Sequence, residues 1–177
     1  LAFLAQQVKV KIEENKRRMD VIIKHSADLS EIAALENLFI LVRIPVKFVA
    51  DVELAGEFEN LKVRDINFDA IEFDGKAKNV SVTNASGHLE LNTNSNLKLE
   101  VCRARGKIDL NHFHAVSKIS FGEGQNYYLK NAGRFTRFVD ANGKLLSGKR
   151  EKDDPAEPVD LIVELNGWKA EAQVVTQ

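Results

Sequence analysis

The sequence predicts an all-β fold in which the middle of the chain coils as a β-solenoid and hairpins flank it at both ends. Short apolar pairs at positions i and i+2 recur through residues 60–124, with 8 to 11 residues between the first members of successive pairs. Polar connectors rich in Gly and Asn separate them, and both residue types tolerate the positive φ angles of tight corners. The pairs are Leu61/Val63, Ile71/Phe73, Val80/Val82, Leu89/Leu91, Leu97/Leu99, Ile108/Leu110 and Ile119/Phe121.

A sandwich or meander also repeats strands every ~8–12 residues, so the spacing alone leaves two architectures open. Strand length favours the solenoid, because two or three inward residues are few for a hairpin ladder. They suit a strand that pairs with its counterpart in the next coil. Two strands per turn give a coil of roughly 18–20 residues.

The N-terminal section, residues 1–59, predicts strands and a crossover. Apolar and polar residues alternate over Val8–Ile12 and again over Met19–Ile23, which indicates a hairpin. Ser26–Asn37 has helical spacing and predicts a short helix or an irregular crossover. A strand over Leu38–Ile44 then ends at Pro45, and a second, alternating strand follows to Leu54.

The C-terminal section, residues 125–177, predicts two hairpins that close the repeat core of residues 60–124. Asp140–Gly143 marks one turn, and Asn166–Gly167 marks the other, between Leu161–Leu165 and Trp168–Val175. A charged, exposed loop over residues 149–158 joins them. Solenoid ends need caps, and we expect these hairpins, with Trp168 packed inward, to supply one within a single domain over residues 1–177.

Composition argues against several partners. The chain has 25 basic and 26 acidic residues and a formal net charge of -1. Proteins that bind a phosphate backbone usually carry an excess of basic residues, so we do not expect a nucleic acid as the partner. The single cysteine, Cys102, permits neither an internal disulfide nor a cysteine-based zinc cluster within one chain. Its place in an alternating strand predicts a small buried or half-buried residue. The sequence contains no run of 18 or more apolar residues, so we expect no membrane span in this segment. Because the only methionine is Met19, we expect a leader or further sequence upstream of Leu1.

The stretch from Ile44-Pro45 through Phe121 resembles the bacterial adhesin-type β-strand-repeat family, also called the toastrack domain. The likeness is carried by the apolar strand that ends in Ile-Pro, by Ser86-Gly87-His88-Leu89-Glu90-Leu91-Asn92-Thr93, and by its echo at Gly106-Lys107-Ile108-Asp109-Leu110. The family usually has Gly before most repeats, and here Asn79, Asn96 and Lys118 take such places.

This resemblance implies a non-enzymatic β-solenoid that serves as an adhesin, a scaffold or an envelope-stress sensor. It implies a protein or cell-envelope component as the partner and an envelope-associated or extracytoplasmic location. The family has no catalytic or cofactor-binding residues to carry over. Solenoid ends also stack when their caps are weak, so a homo-oligomer formed through the ends is a further expectation.

A histidine pair is the sharpest local motif. His112 and His114 stand at i and i+2, a spacing that places two strand residues on one face and makes them candidate metal ligands. Asp109 or His88 would have to supply a third ligand. Solvated histidines at a corner are the simpler interpretation, and we predict no metal site.

An alternative function is that of a carbohydrate-active enzyme, a polysaccharide lyase or hydrolase built on a solenoid. The carboxylates that suggest it lie around one turn, and such enzymes need two carboxylates at a set separation. A solvated or calcium-binding loop is the competing interpretation, and fold alone does not give function. The four residues are Asp65, Asp69, Glu72 and Asp74.

Two further motifs are weaker. Ser86, His88 and Asp65 are the residue types of a catalytic triad, but no nucleophile elbow surrounds the serine. Gly122-Glu123-Gly124 lacks the third glycine and the helix that a phosphate cradle needs, so we expect a loop that ends the solenoid. We therefore predict no enzyme and no cofactor.

Aromatic residues cluster just after the repeat core. They could stack on a sugar, but a cap that covers the last coil is the favoured interpretation. They are Tyr127, Tyr128, Phe135 and Phe138.

Overall fold

The structure, a computed structural model, describes residues 8–14, 19–25, 43, 51–147, 155 and 157–176. Contacts between residues divide the chain into two compact units, Leu1–Arg43 and Ile44–Gln177, which are described separately. The helix or crossover predicted at Ser26–Asn37 lies outside the described residues, as does most of the charged loop at 149–158. So do the strands predicted on either side of Pro45, up to residue 50, except for Arg43.

The first unit contains the predicted N-terminal hairpin. Strand β1 (Val8–Glu14) pairs antiparallel with β2 (Met19–His25). Val8 lies opposite His25, and Glu14 lies opposite Met19. The alternating pattern of these two segments is therefore confirmed as one two-stranded sheet.

Over its described residues the second unit is all-β, as predicted, and the strands there form one nine-stranded sheet. The part of the chain that the structure describes contains no helix, and hence none long and apolar enough to cross a membrane. The strands are β3 (Asp51–Thr93), β4 (Leu97–Cys102), β5 (Arg105–Phe113), β6 (Val116–Phe121), β7 (Tyr127–Asn131), β8 (Arg137–Asp140), β9 (Leu145–Ser147), β10 (Leu161–Trp168) and β11 (Glu171–Thr176).

Strand β3 winds around the solenoid axis. Its 43 residues would span about 140 Å if they were straight. Instead, a Cβ built on Gly75 would lie 1.9 Å from the carbonyl oxygen of Gly56, so these two backbones are stacked directly on each other. Side chains bridge the same offset of 19 residues, as Lys76 does to Glu57. One coil is thus 19 residues long, within the predicted range.

The coils stack through two parallel ladders. The first wall consists of residues 86–93 of β3, then β5, β10 and β7. The second wall consists of residues 79–83 of β3, then β4, β6, β11 and β8. Each strand of the two walls pairs parallel with its counterpart in a neighbouring coil, and only the outermost strand, β8, also has a hairpin partner among the described residues, which confirms the solenoid over the sandwich.

The core lies between the walls and is built from the predicted apolar pairs. Each of the six residues that define its centre is at most 3% exposed, since alternate residues of a strand face the same side. These residues are Leu89, Leu91, Leu97, Leu99, Ile108 and Leu110.

The corners between the walls are held in the left-handed region of backbone conformation. Asp65, Asn84 and Arg103, spaced 19 residues apart, have φ angles of 55°, 49° and 53°. Asn and Asp tolerate this region better than most residues, which explains the polar connectors of the sequence.

The prediction of a hairpin at Asn166–Gly167 is wrong. Both residues lie inside β10, which pairs parallel with β5 and β7, while β11 pairs parallel with β6 and β8. Gly167 is needed for close stacking, because a Cβ there would lie 1.9 Å from the carbonyl oxygen of His112. The chain turns two residues later, at Lys169, where φ is 51°.

Residues 161–176 therefore form a C-terminal coil, and this coil is inserted out of sequence order. It lies between the coil of residues 105–121 and the coil of residues 127–140. Gly106 and Tyr127 both pair with Leu161, one from each side. The solenoid thus continues past Gly122-Glu123-Gly124, which was predicted to end it, and Gln125 N–H donates to the Gly122 carbonyl in a turn there.

The hairpin predicted at Asp140–Gly143 is confirmed. Strands β8 and β9 pair antiparallel, and the backbone N–H of Asp140 donates to the carbonyl of Lys144 at 2.8 Å. The side chain of Asp140 also accepts from the N–H groups of Asn142 and Lys144. Strand β9 thereby covers the outer edge of β8 in the second wall.

Candidate functional site

The structure separates the two histidines that the sequence paired. His112 lies in β5, points into the core and is 0% exposed, with its Nε2 2.5 Å from the hydroxyl of Ser117. His114 follows the end of β5, is exposed and has a φ of 54°. Because the strand ends at Phe113, the alternation that would place both rings on one face does not hold, and that expectation is wrong.

The environment of His112 is that of a neutral core residue. Burial lowers its pKa to about 4, and the backbone groups of Thr93 and Asn111 offset this effect only in part. A neutral ring can serve as the hydrogen-bond partner of Ser117, and this bond joins the first wall to the second.

The proposed third ligands are likewise occupied elsewhere. His88 Nε2 lies 2.6 Å from Asp109 Oδ2 in the first wall, where both residues alternate with core residues and so face outward, away from His112. Within the described residues, no group of three or more His, Cys, Asp and Glu side chains is arranged to hold a metal ion.

A polar ladder runs across the outer face of the first wall. Lys107 Nζ lies 2.9 Å from Asp109 Oδ1 and 3.0 Å from Glu164 Oε2, and Lys130 Nζ lies 3.3 Å from Glu164 Oε2. Burial lowers the pKa of Lys107, but the two carboxylates outweigh it and the net shift is upward. Burial raises the pKa of Glu164, but hydrogen bonds from Asn166 and the lysines outweigh it and the net shift is downward. These groups therefore hold three coils together as ion pairs.

A second column of the same face is built from amides. Asn111 Nδ2 donates to Glu90 Oε1 at 2.6 Å and to Asn92 Oδ1 at 2.7 Å, and Asn92 Nδ2 donates to Glu72 Oε1 at 3.0 Å. Such bonds between coils satisfy polar side chains in a partly buried sheet face.

The carboxylates singled out by the sequence do not converge. Asp65 sits at a corner and accepts a hydrogen bond from Asn84 at 2.8 Å, and Glu72 belongs to the amide column. Asp69 and Asp74 are exposed. The side chains proposed as a triad have other partners too, since Ser86 donates to Asn67 at 2.6 Å and His88 contacts Asp109.

An open depression of about 320 Å³ lies on another part of the second unit. Two ion pairs line it, Lys76 with Glu57 at 2.7 Å and Lys78 with Glu59 at 2.8 Å. Its charges are thus already paired.

The aromatics after the repeat core divide into two groups. The rings of Tyr127 and Phe121 stack with centroids 3.7 Å apart, and Phe138 is fully buried in the core. Phe135 is 74% exposed and makes an edge-on contact, 5.0 Å between centroids, with Trp168. Phe135 therefore departs from the expected cap and faces solvent.

Phe135 belongs to what we call the aromatic–basic corner, where three neighbouring coils pass from the first wall to the second. Phe113, Trp168 and Arg134 lie in register along the solenoid axis. In their coils they are followed by His114, Lys169 and Phe135, respectively. All three of these second residues have φ angles between 51° and 57°. Phe113 is 57% exposed, and His114, Arg134 and Lys169 are exposed.

The corner also carries unpaired positive charge. Some exposed basic side chains of the second unit meet carboxylates, as Arg137 meets Glu171 at 2.7 Å, whereas others, such as Lys118, make no ion pair within the described residues. Within the described ranges, Arg134 and Lys169 make no ion pair, and the corner itself contains no carboxylate. Two unneutralised cations therefore flank three aromatic rings.

Sequence reasoning missed this corner as a unit. Phe113, Phe135 and Trp168 lie far apart in sequence, and only the insertion of the C-terminal coil brings Trp168 between the other two. The available signal was the local motif of a large side chain before a corner residue, at Phe113-His114, Arg134-Phe135 and Trp168-Lys169.

The fold and the corner together define a class: a parallel β-solenoid with an exposed aromatic–basic edge. In comparisons with protein-family models, curated proteins and solved structures, none matches this chain.

Proposed function

We propose that this chain is a non-catalytic binding module, of the adhesin, scaffold or envelope-sensing kind that its resemblance to the toastrack family implies. Its partner is a protein or another component of the bacterial cell envelope. The observation that carries the proposal is the aromatic–basic corner, where paired backbone presents the exposed rings of Phe113 and Phe135 and two exposed cations beside the half-buried ring of Trp168.

The rigidity of this presentation supports a binding role. His114 N–H donates to the Trp168 carbonyl at 3.0 Å, and Lys169 N–H donates to the Arg134 carbonyl at 3.0 Å. The corner is thus fixed before any ligand arrives, which limits the ordering cost of binding. Aromatic rings and arginine are also the side chains that contribute most to binding hot spots.

The use of the ionisable groups favours binding over catalysis. The side chains that could suggest a triad or a glycosidase pair are engaged in bonds between coils, such as Ser86 with Asn67 and Glu72 with Asn92. Those bonds stabilise the stack, whereas at the corner unpaired charge lies beside exposed apolar surface.

The test is retention of detergent-solubilised bacterial envelope fractions on the immobilised chain. Phe135→Asn removes an exposed ring at a φ of 57° that Asn tolerates, and should reduce retention. Leu146→Ser, at another exposed apolar residue, is the matched control and should not. No retention by the unmodified chain, or equal loss with both variants, would reject the proposal.

A further inference from the structure

We propose that the ligand of the aromatic–basic corner is an acidic polysaccharide, a polymer whose sugar rings carry carboxylates. This inference rests on the binding function proposed above and assigns the chemistry of its ligand. It is carried by the two-by-three arrangement of Phe113, Trp168 and Arg134 beside His114, Lys169 and Phe135.

The arrangement matches the two surfaces of such a polymer. A pyranose ring has an apolar C–H face that stacks on an aromatic ring, and its carboxylate pairs with a cation. Neighbouring strands lie about 4.8 Å apart, so the corner offers rings and cations in successive coils along one line. Trp168 is the central element, with Phe113 in register on one side and Phe135 edge-on at 80°.

Charge complementarity selects an anion. Arg134 and Lys169 have no carboxylate partner in the described part of the chain, and they lie in the same corner as the exposed rings of Phe113 and Phe135. Arginine in particular binds carboxylates through two parallel N–H groups. The chain as a whole has a formal net charge of -1, so attraction of an anion depends on this local surface.

Two other anionic polymers fit less well. An extended acidic peptide gains affinity by adding a strand to a sheet edge, but the backbone of this corner is already paired, as in the bond from Arg134 N–H to the Gly167 carbonyl. A nucleic acid needs a longer basic track than two cations to neutralise successive phosphates.

The experiment is calorimetric titration of the full chain with polygalacturonate, a linear uronic-acid polymer. Neutral dextran, polyglutamate and oligo-dT serve as comparison probes. We expect binding to polygalacturonate alone, weakening as salt screens the cations. Arg134→Gln should weaken it about tenfold, the loss of one charge-assisted hydrogen bond. Lys118→Gln, an exposed lysine in the second wall, should leave it unchanged.

Several outcomes would overturn the assignment. Equal binding of dextran would mean that charge plays no part, and equal binding of polyglutamate or oligo-dT would mean that the sugar plays none. Absence of polygalacturonate binding, or binding unchanged by both Arg134→Gln and Phe135→Asn, would also reject it. If any of these outcomes were found and Phe135→Asn still abolished the retention of envelope fractions, the proposed binding function would be retained and only the assignment of the ligand class would be rejected.

Discussion

At the scale of single residues, His112 shows how the fold uses polar side chains inside its core. The ring is fully buried and bound to Ser117, and its pKa is lowered to about 4 from the ordinary value of 6.5. Between these pH values the unfolded chain binds a proton that the folded chain does not. Stability from His112 is therefore complete above pH 6.5 and is lost as the pH falls toward 4.

This titration predicts an acid-sensitive stability. The difference in unfolding free energy between the unmodified chain and His112→Gln should shrink by about 3 kcal/mol from pH 7 to pH 4, from a shift of about 2.5 pKa units. Urea unfolding at a series of pH values measures it. His114→Gln, two residues away and exposed, should leave the pH profile of the unmodified chain in place. A parallel pH profile for His112→Gln would contradict the assignment.

Gly167 is the second residue on which the account depends. An Ala Cβ there would lie 1.9 Å from the His112 carbonyl oxygen, so Gly167→Ala must force the C-terminal coil away from β5. Gly124→Ala is the matched control, because Gly124 also has a positive φ, 74°, but has no atom within 4 Å of a built Cβ.

We expect the control to cost about 1 kcal/mol for its backbone conformation alone. Gly167→Ala should cost several times more in thermal or urea unfolding. Equal costs would show that Gly167 marks an ordinary turn, as the sequence first indicated, and not a close contact between coils.

At the scale of the elements, the strand pattern tests the core. Leu99 lies in β4 and is fully buried, so Leu99→Ala should reduce the unfolding free energy by about 2–4 kcal/mol. Leu145→Ala, on an exposed residue of β9, should change it by less than about 0.5 kcal/mol. Similar effects from both variants, measured by urea unfolding, would contradict the burial pattern.

The C-terminal coil is the element whose loss should matter most. Deleting residues 159–177 removes the strands that join the coil of residues 105–121 to the coil of residues 127–140. Exposed edges of β5 and β6 should then cause aggregation and a lower melting temperature. Adding a peptide of residues 159–177 should restore both, and a scrambled peptide should not.

A truncated chain that stays monomeric with an unchanged melting temperature would show that the coil is not part of the stack. Light scattering and thermal unfolding report the two properties separately.

The elements also show which parts of the fold the sequence can predict. The inward residues, the coil length and the β8–β9 turn follow from local alternation and local turn residues, so they were predicted correctly. The place of the C-terminal coil depends on pairing between Leu161 and Gly106, residues far apart in sequence, and no local pattern contains that information. The prediction of a turn at Asn166–Gly167 was wrong because a glycine that is required by close stacking of two backbones cannot be distinguished in the sequence from a glycine that is required by a turn.

The candidate site follows the same rule. The i, i+2 spacing of His112 and His114 predicts a shared face only while the strand continues, and here β5 ends between them. The aromatic–basic corner could not be assembled from sequence, because its six residues come from three coils whose order in space differs from their order in the chain.

At the scale of the whole second unit, architecture and proposed function depend on one feature, the insertion of residues 161–176. In a solenoid stacked in sequence order, the coil of residues 127–140 would lie directly on that of residues 105–121. The insertion instead places Trp168 and Lys169 between Phe113-His114 and Arg134-Phe135, and so it builds the surface to which we assign binding.

The most direct test of this insertion is disulfide formation between outward-facing residues of the second wall. Glu171 pairs with Val116 on one side and with Arg137 on the other. Paired residues on adjacent strands lie about 4.8 Å apart and those two strands away about 9.6 Å, whereas disulfides form at Cα separations of about 4.4–6.8 Å. In a Cys102→Ser background, the pair Val116→Cys with Glu171→Cys should form a disulfide on mild oxidation, and the pair Val116→Cys with Arg137→Cys should not. The reverse result would contradict the inserted coil and, with it, the corner.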